Sequence, residues 1–313
     1  MNKPVALQLC PFSNYLESEL RSRLEIVRWF DLPPEQQQAW LHEHAASVRA
    51  VVTGGHLGCS NALMDQLPEL GIVAINGVGF DKVDLPHARS RGVSVTTTPD
   101  VLTDDVADLA VGLIISLLRR LPASDAHVRA DKWPDGDMPL ARKVSGLRFG
   151  IVGLGKIGSA IASRVAPFGP VFYTDLAEKS VPWHFQPDLP ALAEAVDVLV
   201  IASSANAATR HLISTPVLAA LGPEGYLVNV ARGSLVDEHA LIAALEQGLI
   251  AGAALDVFEV EPNVPDALRA SDKVVLSPHI ASATQETRRD MANLVLANLD
   301  AFVAGQPLPT ALG

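Results

Sequence analysis

Short apolar runs alternate with amphipathic stretches along the first hundred residues. The apolar runs have the length of buried strands and lie at 5–9, 24–28, 50–53, 72–75 and 94–97. Stretches whose apolar residues recur at helical spacing follow the first three runs, at 14–23, 34–46 and 61–67. Strands that alternate with helices in this way predict a parallel sheet covered by helices.

The rest of the chain continues this alternation. An amphipathic helix, which Thr103 or Asp104 can cap, runs towards residue 121 with its apolar positions three and four apart. After an irregular excursion over 122–146, six strands are predicted at 148–152, 171–174, 197–201, 226–230, 251–256 and 274–277. A long amphipathic helix over 288–304 closes the chain, and we expect it to pack back on the first domain.

This order of elements predicts an α/β protein with two domains. Residues 99–286 would form a Rossmann domain with a doubly wound parallel sheet, because six strands alternate there with helices. Residues 1–98 together with 287–313 would form a smaller, flavodoxin-like parallel α/β domain. A chain of 313 residues is long enough for two hydrophobic cores.

Composition and charge disfavour several kinds of partner. The net charge of −11 argues against nucleic acid and anionic membranes. No apolar stretch reaches the roughly 20 residues of a membrane span, and the N-terminus lacks the pattern of a signal peptide. The two cysteines, Cys10 and Cys59, have neither a CxxC nor a histidine-rich setting, so we expect no disulfide framework and no metal site. The sequence therefore predicts a cytoplasmic protein.

A glycine-rich turn joins the first strand of the second domain to a helix. Its sequence, Gly153-Leu-Gly-Lys-Ile-Gly158, has the spacing of a dinucleotide-binding turn. Gly153 would allow the tight turn, Gly155 the close approach of a pyrophosphate, and Gly158 the packing of helix against strand. The N–H groups at the helix start would face the phosphates. Because a strand precedes this turn and a helix follows it, we expect a bound dinucleotide.

An acidic residue follows the next strand. Asp175 lies 22 residues beyond Gly153, close to the roughly 20 expected of a carboxylate that binds the adenosine ribose. Such a carboxylate repels a 2′-phosphate, so the sequence favours NAD(H) over NADP(H). Lys179 is a possible partner for that phosphate and leaves NADP(H) open. The alternative interpretation of Asp175 is an ordinary turn aspartate.

Three charged or titratable side chains follow strand ends in the second half of the chain. Arg232, Glu261 and His279 all lie at the sheet edge that carries the glycine turn. A guanidinium can bind the carboxylate and the neighbouring carbonyl of a 2-oxo acid. A histidine can donate a proton to that carbonyl oxygen as hydride reaches the carbon, and a carboxylate beside the ring favours its charged form and fixes its orientation. Glu259 is an alternative for this acid, and any single histidine can also be structural.

Two glycine-rich loops end strands of the first domain. Thr53-Gly54-Gly55 and Asn76-Gly77-Val78-Gly79 can aim backbone N–H groups at a small anion. Each loop alone can equally be a plain connection between a strand and a helix.

Four motifs in order make the chain resemble the D-isomer-specific 2-hydroxyacid dehydrogenase family over essentially its whole length. They are the glycine turn, Asn229-Val-Ala-Arg-Gly-Ser-Leu-Val-Asp237, Asp256-Val-Phe-Glu-Val-Glu-Pro262 and Ser277-Pro-His279. The resemblance implies that Arg232 binds and polarises the substrate and that His279 transfers the proton. It also implies that Glu261, rather than Glu259, pairs with the histidine.

The resemblance implies further contacts. For the cofactor they are Gly153, Leu154, Gly155, Lys156, Ile157 and Gly158 at the pyrophosphate, Thr174, Asp175 and Leu176 at the adenosine ribose, Asp256 at the nicotinamide carboxamide, and Val230, Ser203, Ser204 and Thr209 along the remainder. For the substrate they are the backbone of Val78 and Gly79 at the carboxylate, and Trp133 reaching the active site of the partner in a homodimer joined through the cofactor domain.

Within the family, the segments 76–84 and 99–108 are most similar to hydroxypyruvate, glyoxylate and hydroxyphenylpyruvate reductases. Many of these prefer NADPH and carry an arginine after the second strand, where this chain has Asp175-Leu176. The usual proline-containing loop after the fourth strand is replaced by Ala202-Ser-Ser-Ala-Asn206. We therefore expect reduction of a small 2-oxo acid, such as glyoxylate or hydroxypyruvate, to the D-2-hydroxy acid. The alternative is an NAD(H)-sensing, corepressor-like protein on the same fold.

Overall fold

The computed structural model describes residues 3–313, and the chain divides into two compact units. The first unit contains the residues up to Leu102 together with Ala283–Gly313, and the second contains Thr103–Ser282.

Within residues 3–313 the chain forms twelve strands and twelve α-helices. The strands are β1 (Val5–Gln8), β2 (Glu25–Arg28), β3 (Val48–Gly54), β4 (Ile72–Asn76), β5 (Ser94–Thr96), β6 (Phe149–Val152), β7 (Val171–Thr174), β8 (His184–Phe185), β9 (Val198–Ile201), β10 (Tyr226–Asn229), β11 (Gly252–Leu255) and β12 (Val274–Leu276). The helices are α1 (Asn14–Arg23), α2 (Pro34–His44), α3 (Asn61–Asp65), α4 (Leu85–Ser90), α5 (Thr103–Leu118), α6 (Leu121–Arg129), α7 (Lys156–Val165), α8 (Leu189–Ala195), α9 (Thr215–Leu221), α10 (Glu238–Glu246), α11 (Asp266–Ala270) and α12 (Gln285–Val303).

The first unit is built on a five-stranded parallel sheet in the order β2-β1-β3-β4-β5. Alternate residues of its strands enter two different apolar clusters, because successive side chains of a strand point to opposite faces. Val51 and Val73 belong to one cluster, and Ala50 and Ile72 to the other. Helix α12 packs on β4 and α1, as its position and length predicted.

The second unit is built on a seven-stranded parallel sheet in the order β12-β11-β10-β9-β6-β7-β8. Helices α8, α9 and α10 bury one apolar cluster against this sheet, whereas α5 and α7 pack on each other, α5 against β10, β11 and β12 and α7 against β6. The first strand of this unit, β6, lies inside the sheet, and the later strands are added on both sides of it. The strand order therefore reverses between β6 and β9. The prediction of an α/β, doubly wound Rossmann sheet is confirmed, and such sheets bind ligands at the carboxyl ends of the strands at this reversal.

The prediction of an irregular excursion over 122–146 is partly wrong, because α6 occupies its beginning. Leu121 and Val128 are exposed in this helix, so the sequence has no buried apolar stripe that would predict it. Its start is set locally by a proline in the first turn, where the missing N–H does no harm. The short strand β8 and the short helix α4 were also not predicted, since neither is long enough to show a period.

Candidate active site

The three glycines of the turn between β6 and α7 are each required by the local geometry. Gly153 has a φ of 88°, and a Cβ on it would lie 2.6 Å from the Cα of Ser203. A Cβ on Gly158 would overlap the carbonyl oxygen of Gly153. A Cβ on Gly155 would meet nothing within 4 Å, so its backbone is open to an approaching group.

The start of α7 fits the diphosphate of a dinucleotide. Gly155 is the N-cap of this ten-residue helix and has no side chain that could cap it, so the N-terminus of α7 suits an external anion. Across the turn, the Oγ of Ser203 is buried and has no hydrogen-bond partner within residues 3–313. An open backbone, a helix start and an orphaned hydroxyl at the strand reversal are what a bound dinucleotide needs here.

Asp175 lies at the end of β7 and is bound to the glycine turn. Its Oδ2 accepts the N–H of Leu154 at 2.8 Å and lies 2.7 Å from the Nζ of Lys179. Burial alone would raise the pKa of Asp175, but hydrogen bonds from Lys179 and two backbone N–H groups outweigh burial and lower it. Leu176 is fully exposed beside it, and Thr174 Oγ1 lies 3.4 Å from the carbonyl oxygen of Pro187.

The loop after β9 is closed on itself. Thr209 Oγ1 donates to the carbonyl oxygen of Ser204 at 3.0 Å and accepts the N–H of Asn206 at 2.8 Å. Val230, at the end of β10, is buried. The cofactor contacts expected of Ser203, Ser204, Thr209 and Val230 stay predictions.

Arg232 follows β10 on a turn that a buried asparagine shapes. The side chain of Asn229 donates to the carbonyl oxygen of Arg232 at 2.9 Å and accepts the N–H of Ala231 at 3.0 Å. The next residue must be glycine, because a Cβ on Gly233 would overlap the backbone of Phe258. The segment that carries Arg232 therefore lies directly against the segment that leads to Glu261.

Glu261 and His279 form a direct pair. His279 Nδ1 lies 2.7 Å from Glu261 Oε2, while Glu261 Oε1 accepts the N–H of Phe258 at 3.1 Å. Burial would raise the pKa of Glu261, but the hydrogen bond and charge of His279, a backbone N–H and the charge of Arg232 outweigh burial and lower it. Within residues 3–313 the Nε2 of His279 has no hydrogen-bond partner. The pair thus places an ionised carboxylate at Nδ1 of the ring and leaves Nε2 available to contact a substrate.

Asp256 organises the loop that carries His279. Its fully buried carboxylate accepts the hydroxyl of Ser277 at 2.6 Å and the N–H groups of Ile280 and Ala281 at 2.9 Å each. Its carbonyl oxygen accepts the N–H of His279 at 2.8 Å. These bonds hold His279 at a φ of 54°, in the left-handed region. A contact between Asp256 and a nicotinamide carboxamide stays a prediction.

The structure brings Arg232, Glu261 and His279 together at one edge of the second unit, but sequence reasoning missed the residues that support them. Asn229 and Ser277 stand inside the motifs already noted, so the motifs were the available signal. Glu238, which accepts the N–H of Glu259 at 2.7 Å, gave none, because it stands 21 residues earlier in the chain.

The two glycine-rich loops of the first unit contact each other. A Cβ on Gly55 would lie 2.7 Å from the carbonyl oxygen of Gly79, so the close approach of these two loops requires glycine at Gly55. Val78 and Gly79 lie at the carboxyl end of β4, and Trp133 lies in a short 3₁₀ turn of the second unit with 64% of its surface exposed. Their contacts with substrate stay predictions.

Among residues 3–313, no helix combines the length and apolar character needed to cross a membrane. The described part of the chain also contains no group of three or more His, Cys, Asp or Glu side chains arranged to hold a metal ion.

The chain is similar to known proteins over most of its length. The model of the D-isomer specific 2-hydroxyacid dehydrogenase NAD binding domain matches residues 111–281. Glyoxylate/hydroxypyruvate reductase A of Arabidopsis thaliana is 46% identical over 306 residues, covering 97% of both chains.

Two solved structures match the whole chain. A 2-hydroxyacid dehydrogenase from Ketogulonicigenium vulgare superimposes with a TM-score of 0.92 at 44% identity, over 100% of this chain and 99% of that one. The NADPH-dependent glyoxylate/hydroxypyruvate reductase of Sinorhizobium meliloti, solved with NADP and malonate, has a TM-score of 0.91 at 38% identity, over 100% and 97%. The chain belongs to the D-isomer specific 2-hydroxyacid dehydrogenase family.

Proposed function

We propose that the protein reduces a short 2-oxo acid, such as glyoxylate or hydroxypyruvate, to the D-2-hydroxy acid with NADH or NADPH. The observation that carries this proposal is the His279–Glu261 pair beside Arg232, with the Nε2 of the histidine unpartnered within residues 3–313. The reductase activity of the Arabidopsis and Sinorhizobium relatives supports the same class of substrate.

The roles of the three side chains follow from their chemistry. The bound nicotinamide supplies the hydride. Arg232 binds the substrate carboxylate and draws electron density towards the carbonyl oxygen through its planar guanidinium. His279 donates the proton from Nε2 to that oxygen as negative charge builds on it. Glu261 keeps the ring oriented and stabilises its charged form.

Several further assignments belong to the same proposal. The glycine turn, together with Asp175, binds the cofactor, and the carboxylate favours NADH. The backbone of Val78 and Gly79 binds the substrate carboxylate. We place the protein in the cytoplasm, a reducing compartment that suits the free thiols of Cys10 and Cys59.

We also propose a homodimer in which Trp133 reaches the partner's active site. Exposed apolar side chains concentrate between residues 121 and 140 of the second unit, and a partner would cover them. They are Leu121, Val128, Trp133 and Leu140. Light scattering should give twice the mass of one chain, and a monomer at assay concentration would contradict this part.

The function is tested by oxidation of NADH and NADPH with a panel of short 2-oxo acids. We expect turnover with glyoxylate or hydroxypyruvate and, from hydroxypyruvate, only the D-glycerate product. Binding of NADH without turnover of any 2-oxo acid would overturn the proposal and leave the alternative of a dinucleotide-sensing protein.

A further inference from the structure

An ion pair between Asp175 and Lys179 holds Leu154, the second residue of the glycine turn, at its N–H and at its carbonyl oxygen. Asp175 Oδ2 accepts the N–H of Leu154 at 2.8 Å, and Lys179 Nζ donates to the carbonyl oxygen of the same residue at 2.5 Å. Lys179 Nζ also lies 2.7 Å from Asp175 Oδ2. The ammonium group of Lys179 therefore contacts the Asp175 carboxylate, which is expected to bind the adenosine ribose.

The backbone of Lys179 is fixed by a buried ring. Its N–H donates to the Oη of Tyr173 at 2.7 Å, and Tyr173 is fully buried in β7. The side chain of Lys179 is nevertheless 39% exposed, whereas that of Asp175 is 17% exposed. The backbone of Lys179 is thus fixed by the core of the sheet, while its side chain is partly exposed to a ligand.

Asp175 and Lys179 each keep one hydrogen-bonding position for a ligand. Asp175 Oδ2 already receives two hydrogen bonds and Oδ1 receives one, from the N–H of Leu176 at 2.7 Å, so a lone pair of Oδ1 remains for a ribose hydroxyl. Lys179 uses two of its three N–H donors, which leaves one for an anion.

NADP(H) differs from NAD(H) by a 2′-phosphate, a double negative charge where NAD(H) has a hydroxyl. A bare carboxylate would repel that phosphate, whereas an ammonium within hydrogen-bond distance of the carboxylate cancels the repulsion and can donate to a phosphate oxygen. We propose that Lys179 is the specificity-determining residue that lets this site accept NADPH alongside NADH. This inference rests on the proposed use of a nicotinamide dinucleotide.

The test measures binding without turnover, by calorimetry of the whole chain with ADP-ribose and with 2′-phospho-ADP-ribose. The wild type should bind both. Lys179→Met should weaken binding of the phosphorylated ligand by about tenfold to a hundredfold, the effect of losing a charge-assisted hydrogen bond, and change ADP-ribose affinity by less than about threefold. The ratio of kcat/KM for NADPH to that for NADH should fall by a similar factor.

Two further variants sharpen the result. Lys143→Met makes the same chemical change at an exposed lysine outside the glycine turn and should leave both affinities unchanged. Asp175→Asn should shift preference the other way, towards the phosphorylated ligand, because the repelling charge is gone while the lysine stays.

Three outcomes would overturn the inference. One is failure of the wild type to bind 2′-phospho-ADP-ribose while it binds ADP-ribose. Another is an equal loss of both ligands in Lys179→Met, which would mean that the lysine only holds the glycine turn. The third is no change in Lys179→Met. Failure of the proposed function looks different, because the wild type would then bind neither ligand or would bind both without reducing any 2-oxo acid.

Discussion

Two histidine–glutamate pairs in the second unit look alike and differ in their surroundings. His279 Nδ1 lies 2.7 Å from Glu261 Oε2, and His211 Nε2 lies 2.7 Å from Glu259 Oε1. Both histidines have a left-handed backbone, with φ of 54° and 51°, and the two glutamates stand two residues apart. Distance and backbone therefore do not tell the pairs apart.

The difference lies in the other groups on each pair. Arg210 donates to the same oxygen of Glu259 at 2.5 Å, and the second ring nitrogen of His211 lies 4.0 Å from a carboxylate oxygen of Asp237. The ring of His211 thus lies between two carboxylates, and the nearer of them, Glu259, also binds Arg210. His279 instead keeps one nitrogen without a partner in the described part of the chain. This nitrogen of His279 can donate a proton to a substrate oxygen, whereas the second nitrogen of His211 lies near the carboxylate of Asp237.

Replacing each histidine with glutamine should separate the two pairs most strongly. We expect His279→Gln to lower kcat for 2-oxo acid reduction by about 10² to 10⁴, the usual contribution of a general acid. The matched variant His211→Gln should lower it by less than about tenfold, because that ring only supports the segment that leads to Glu261. Steady-state kinetics with saturating NADH measures both. Equal losses in the two variants would mean that the pairs share the chemistry.

The carboxylate of the first pair should have the next largest effect. Glu261→Gln removes a charge-assisted hydrogen bond, and we expect kcat to fall by about tenfold to a hundredfold. Because the pKa of Glu261 is lowered, the wild-type carboxylate stays ionised above its ordinary value of 4.5. Its contribution is therefore present at neutral pH and lost only as the pH falls through the lowered pKa.

The pH profile separates this role from simple packing. In the wild type the negative charge of Glu261 is lost as the pH falls through its lowered pKa, whereas a glutamine does not titrate. The acid-side decline of kcat that this protonation causes should therefore be absent from Glu261→Gln. An unchanged profile would argue that the glutamate acts only by filling space.

The carboxylate of the second pair should matter less. Glu259→Gln removes the ion pair with Arg210 but keeps an acceptor for His211, and we expect kcat to fall by about threefold to tenfold. The pH profile should stay as in the wild type, since the group does not face the reaction. A change of the profile as large as that of Glu261→Gln would contradict the distinction between the pairs.

The smallest effect concerns the carboxyl that supports Glu259. Burial raises the pKa of Glu238, with further contributions from the charges of Glu259 and Glu261. A raised carboxyl pKa means that ionisation opposes folding once the pH exceeds the unfolded value. Glu238→Gln keeps the acceptor for the Glu259 N–H and should raise the free energy of unfolding at pH 7 by under about 1 kcal/mol, with no gain at pH 4. Urea unfolding at the two pH values measures this, and a loss of stability at pH 7 would contradict it.

The sequence predicted most of the architecture because apolar runs mark buried strands independently of their context. All six strands predicted in the second unit are present, and the glycine turn stands where the strand order reverses. Helix α6 escaped prediction because its apolar residues are exposed and leave no periodic signal.

Spacing alone left Glu259 and Glu261 equivalent, and the structure shows why it had to. Both glutamates pair with a histidine, one 18 residues away and the other 48 residues away. Such contacts arise from the order of strands in the sheet, which no local pattern contains. The family motif favoured Glu261 beforehand, and its role in turnover stays a prediction.

The backbone at Asp256 has a consequence for how the protein loses activity. Its N–H donates to the carbonyl oxygen of Asn229 on the neighbouring strand, and its own carbonyl oxygen accepts the N–H of His279. The segments that bear Arg232 and His279 are thereby fastened to adjacent strands of one buried sheet, whose amides exchange with solvent only when the sheet opens. Heat should therefore abolish catalytic geometry and secondary structure of this unit in one cooperative step.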